Sequence, residues 1–91
     1  MTIWKYSLLI ESLQPVTMPI GAEILDIQFQ HGTLQMWALV NPDKERMHRM
    51  IEIIGTGHTA PDLTTQGKKR IHLATVHDLG GSLVWHVFEI R

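Results

Sequence analysis

Residues able to do chemistry concentrate in one stretch of the chain. Gly55-Thr56-Gly57-His58 is followed closely by Lys68-Lys69-Arg70. Glycines let successive backbone N–H groups approach an anion, and such a concave nest favours phosphate. Thr56 would add a hydroxyl donor and His58 a donor when protonated. Arg70 would supply a planar two-pronged fork that the point charges of Lys68 and Lys69 cannot reproduce. Gly55, Thr56, Gly57, His58, Lys68, Lys69 and Arg70 are therefore the candidate ligand-binding set, and the ligand they suit is a small anion such as a linear or cyclic nucleotide. The plainer reading is a tight turn leading to a solvated, basic strand start. Read through Ala60, the same letters fit the G-x-G-x-x-A pattern of dinucleotide-binding folds. That pattern needs a helix whose N-terminus receives the pyrophosphate. Pro61 and Gly67 interrupt the stretch before Arg70, so the dinucleotide reading fails.

Other chemistries find less support. Six histidines are present, but no H-x-x-x-H or H-E-x-x-H spacing, and no cysteine. His72 and His77 would face opposite ways on a regular strand. No metal site is expected. Ser7, Ser12 and Ser82 are the only serines, and none lies in a G-x-S-x-G elbow. His58 with Asp62 is the one nearby pair suited to acid–base work, without a surrounding motif. No catalytic residue and no cofactor is therefore expected, and the chain reads as non-enzymatic. Lys44, Arg46 and Arg49 form a small basic group beside Lys68 to Arg70, yet the net charge is −1. Trp4, Tyr6, Trp37 and Trp85 lie in segments that need them for packing. The balance argues against nucleic acid as partner.

The elements that must position these residues are strands. Ile3 to Ile10 alternates, with Trp4, Tyr6, Leu8 and Ile10 on one face. Gln14 to Met18 suits a short edge strand, because Pro15 and Pro19 cannot donate to a ladder. Glu23 to Gln30 sets Leu25, Ile27 and Phe29 against Asp26, Gln28 and Gln30. His31-Gly32 reads as a hairpin turn into Thr33 to Val40, where Leu34, Met36, Ala38 and Val40 oppose Gln35, Trp37 and Leu39. Asn41-Pro42-Asp43-Lys44 is a polar turn. Glu45 to Ile54 is ambiguous: Met47, Met50, Ile51 and Ile54 have helical spacing, which allows a short helix near 44–50, while the β-branched end favours strand. Arg70 to His77 and Ser82 to Ile90 complete the series, joined by a turn at Asp78-Leu79-Gly80-Gly81. Six to seven strands with turns every 8–12 residues predict an all-β antiparallel sandwich or small barrel. The expected core includes Trp4, Leu25, Ile27, Phe29, Trp37, Leu39, Ile53, Leu73, Val84 and Phe88.

At 91 residues and 44% apolar, the chain reads as one β-rich domain over residues 1–91 with a single modest core. No basic segment precedes an apolar stretch, and no apolar run approaches the roughly 20 residues that span a bilayer. A soluble, cytoplasmic protein is expected, without a membrane partner. A core this small and edges left open predict self-association, a dimer first, through the first and last strands.

Several blocks resemble a known family in combination: Ile3-Trp4-Lys5-Tyr6, Met18-Pro19-x-Gly21-Ala22-Glu23-Ile24-Leu25, Trp37-Ala38-Leu39-Val40-x-Pro42, Gly55-Thr56-Gly57-His58 and Leu83 to Glu89. The family is one of small bacteriophage and prophage proteins of unknown function. The resemblance implies a phage setting in the host cytoplasm but transfers no activity. In that setting three roles present themselves. The first is a counter-defence inhibitor that binds a host protein. The second is a protein sequestering an anionic nucleotide through the loop named above. The third is a minor virion or assembly protein.

Overall fold

A computed structural model describes residues 1–78 and 80–91; Leu79, expected in the turn after His77, lies outside them. Seven strands follow in order: β1 (Thr2–Leu8), β2 (Leu13–Pro19), β3 (Glu23–Gln30), β4 (Thr33–Val40), β5 (Arg46–Gly55), β6 (Arg70–His77) and β7 (Val84–Ile90). A three-residue 3₁₀ turn, Thr64–Gln66, is the one helical piece among the described residues. They form two antiparallel sheets, one ordered β1-β4-β3 and the other β2-β5-β7-β6. The sheets do not join into a closed barrel. The short helix allowed near 44–50 is not formed. Residues 46–50 belong to β5 and pair with β2, from Arg46 opposite Pro19 to Met50 opposite Pro15. Tertiary pairing overrides the local helical spacing there, as it commonly does for weak propensity.

Hairpin chemistry sets the β3–β4 register. His31 has φ +52° and Gly32 φ +80°, the positive values that a two-residue primed turn demands at both positions. The chain crosses between sheets after β1, β2 and β4, so the apolar faces of the two sheets meet. Leu34, Met36, Ala38 and Val40 of β4 are buried against Val16, Met18, Ile51, Ile53 and Val87 of the other sheet.

The expected core is partly corrected. Ile27 and Ile53 are buried, and Trp4, Phe29 and Leu73 pack at its margin. Trp37 and Leu39, however, occupy the outward face of β4, and Val84 and Phe88 the outward face of β7. Both alternating sets of β4 are apolar, so periodicity could not choose between them; the set containing the small Ala38 is the one that meets the opposing sheet. Leu25 sits at a β-bulge between Ile24 and Asp26 and is 46% exposed. The bulge adds one residue and so shifts the face on which Leu25 emerges. β1 is an edge strand, as expected, but β7 is flanked by β5 and β6 and offers no edge.

One charged pair is built into the inner face. Arg49, which the sequence groups with Lys44 and Arg46, donates from Nε and Nη2 to the two carboxylate oxygens of Glu89 at 2.7 and 2.8 Å. It also donates to the Ala22 carbonyl. The side chains are only 11% and 4% exposed. The hydrogen-bonded Arg49 guanidinium, helped by Arg91, holds the Glu89 carboxyl below the usual carboxylate range. The Tyr6 hydroxyl is also buried, without a partner among the described residues. Burial pushes its pKa up, opposed by Arg46 and Arg49.

Breaking a buried pair from one side strands the other charge. Arg49→Met is expected to cost about 3 kcal/mol or more, and Arg49→Met with Glu89→Leu to cost less than the single change. Because the folded-state pKa of Glu89 is depressed, its contribution is complete above about pH 4.3 and fades as pH falls further. Urea denaturation of the three proteins at neutral and acidic pH checks both statements.

Candidate ligand-binding site

The site arises from strand order. β7 lies between β5 and β6 and is antiparallel to both. Gly55 at the end of β5 pairs with Trp85, whereas Arg70 at the start of β6 pairs with Ile90. The connection from 56 to 69 must therefore return the length of β7, as a crossover between parallel strands does. It runs over the outward face of the four-stranded sheet as an irregular loop whose one helical piece is the 3₁₀ turn at Thr64–Gln66.

An irregular crossover has to satisfy its own backbone. The Thr56 N–H donates to the Val84 carbonyl at 3.2 Å and the His58 N–H to the Gly55 carbonyl at 3.0 Å. Lys69 and Arg91 exchange two backbone hydrogen bonds of 2.7 and 2.9 Å. Asp62 accepts both the N–H and the hydroxyl of Thr64, bonds that hold its carboxyl below the usual range. Gly57 supplies φ +87° in the turn that starts the crossover. At Gly55 a Cβ would stand 3.1 Å from the His58 ring and from the Trp85 ring, so a larger residue would press on the folded-back His58.

Beneath the crossover lies a cavity of about 410 Å³. Leu13 from β2, Met50 and Ile54 from β5, and Ile90 from β7 line its sheet side, while Pro61 and Leu63 line the loop side. Ser12, Glu52, His58, Thr59, Gln66 and Lys68 contribute polar groups. A largely apolar pocket of this size with a few convergent polar groups fits one small molecule.

The structure distributes the seven sequence candidates unevenly. His58 and Lys68 line the cavity. The Thr56 hydroxyl lies 2.8 Å from His86 Nε2, tying it to β7. The backbone N–H groups of Thr56 and His58 are already paired within the protein, as above. Lys69 joins the strand end through its backbone. Arg70 is taken up by Glu52, with Nε to Oε1 at 2.5 Å and Nη2 to Oε2 at 3.1 Å. Its Nη2 also donates to the Pro61 carbonyl at 2.8 Å, and its guanidinium lies over the Phe88 ring at 5.7 Å. Arg70 is thus the clasp that fastens the crossover to the sheet. Its pairing with Glu52 raises its pKa and keeps it charged.

Glu52 was not singled out by the sequence, where Ile51-Glu52-Ile53 reads as ordinary alternation. Its side chain is 5% exposed because the crossover covers a face that would otherwise be solvated. The one signal in the sequence was the second apolar set on β5, Met50 and Ile54, alternating with Ile51 and Ile53. Among the described residues, no group of three or more histidines or carboxylates could hold a metal ion. No helix among them is long and apolar enough to cross a membrane.

The chain belongs to the family described as a domain of unknown function, DUF7352, whose model matches residues 1–91. No curated protein and no solved structure matches the chain.

Arg70→Ala would leave Glu52 buried without its partner and free the Pro61 carbonyl. It is expected to cost about 3 kcal/mol and to speed amide exchange across residues 61–69, with Arg70→Lys recovering only part because it cannot form the two-pronged contact. Denaturation together with hydrogen-exchange mass spectrometry reads both effects.

Proposed function

We propose that this member of the family is a non-catalytic binding protein that holds a small amphipathic anion beneath the crossover. The observation that supports this reading is the contrast within one cavity. Its walls are apolar, its buried carboxylate is already neutralised by Arg70, and Lys68 and His58 stand on its lining without a side-chain hydrogen bond among the described residues. A ligand with an apolar or aromatic body would displace water from Leu13, Met50, Ile54 and Ile90. Its anionic group would meet Lys68, with His58, Thr59 and Gln66 as further donors. Nucleotides fall in this class, and so do aromatic carboxylates. Capturing such a molecule without altering it is sequestration. The phage or prophage setting belongs to the same proposal, because a sequestered nucleotide is a way to silence a signal. Capture of a host protein is the reading it displaces, since no feature of this site favours a macromolecule.

Calorimetry against linear and cyclic nucleotides and indole-3-acetate tests the reading. Binding by at least one class is expected, weakened about tenfold by Lys68→Ala through loss of one charge-assisted contact of about 1.5–3 kcal/mol. Ile54→Trp, which fills the floor, should abolish it. Absence of binding across the panel, or binding unaffected by both substitutions, overturns it.

A further inference from the structure

The outward face of the three-stranded sheet carries a second pattern, independent of the cavity. Register places residues in rows across β1, β4 and β3. Lys5, Trp37 and Asp26 form one row, and Ile3, Leu39 and Glu23 the next. Ile3 is 58% exposed and Leu25, at the bulge, 46%. Trp37 and Leu39 are only half-buried. An apolar band therefore runs along the middle of the face, with a cation on the β1 side and two carboxylates on the β3 side.

The row of Lys5, Trp37 and Asp26 is self-complementary, while in the next row Ile3 of one copy meets Glu23 of the other. A two-fold axis parallel to β4, lying between two copies packed face to face, keeps strand direction but exchanges the two sides of the sheet. It sets Lys5 of one copy over Asp26 of the other, twice, and Trp37 over Trp37. An isologous interface requires a patch that complements itself in this way. Aromatic residues at the centre with charges at the rim match the usual anatomy of such contacts. Within one chain Lys5 donates to the Gln30 side chain at 3.0 Å, and Asp26 accepts from the Ile27 N–H and the Gln28 amide. Neither forms an ion pair there among the described residues.

We infer that this face binds a second copy of the chain, giving a symmetric dimer with the two crossover cavities on its outer sides. Three strands of about seven residues present a face of only about 14 by 23 Å. At roughly 320 Å² per copy that is below the size of a stable interface, so the dimer is weak and reversible.

Sedimentation equilibrium from about 1 to 300 µM tests the inference on the full chain. The expected result is a monomer–dimer equilibrium in which Lys5→Asp alone and Asp26→Lys alone each weaken association roughly tenfold or more by placing like charges opposite each other. The double variant, Lys5→Asp with Asp26→Lys, should recover it. Circular dichroism and denaturation midpoints show whether each variant keeps the fold. A monomer throughout that range overturns the inference. So does a dimer indifferent to the single charge reversals, which would place the contact at a sheet edge instead. The result stands apart from the cavity reading, because neither Lys5 nor Asp26 lines that cavity.

Discussion

The position of β7 between β5 and β6 is the constraint on which the site depends. Had β6 paired directly with β5, a short hairpin would have joined them and the outward face of the sheet would be open to solvent. With β7 inserted, the chain must travel back along it, and a crossover of 56–69 follows from topology alone. Here the irregular segment does not close down on the sheet face. It leaves a cavity whose floor is strand side chains and whose roof is loop.

That geometry gives β5 two different polar tasks. On the inner face Arg49 pairs with Glu89 of β7, the adjacent strand. On the outer face Glu52 pairs with Arg70, reaching over Phe88 to β6. The two arginines look alike in sequence and serve opposite faces of the four-stranded sheet. The inner pair stitches strands within a sheet, whereas the outer one fastens a loop whose own backbone contacts are few. Neither is free for a ligand, which leaves Lys68 and His58, with Thr59 and Gln66, as donors on the cavity lining.

Strand positions were legible in the sequence because alternation is local: every strand coincides with an alternating or β-branched run. Which face turns inward was legible only where one face is polar, as for Ile27 and Phe29 against Gln28 and Gln30. On β4 and β7 both faces are apolar, and the choice depends on what packs opposite. The segment 55–70 was legible as a concentration of glycines and basic side chains suited to an anion. The fate of its members was not, because Arg70 meets Glu52 across 18 residues and an intervening strand, and no local pattern encodes such a pairing.

The proposed binding site is the space under the crossover. Two-dimensional amide NMR of the full chain, titrated with adenosine monophosphate and separately with indole-3-acetate, tests it most directly. Saturable shifts are expected at Leu13, Met50, Ile54, His58, Gln66, Lys68 and Ile90 with at least one probe, while the amides of β1 and β4 stay in place. Saturable shifts confined to other surfaces, or none up to millimolar probe, would contradict it.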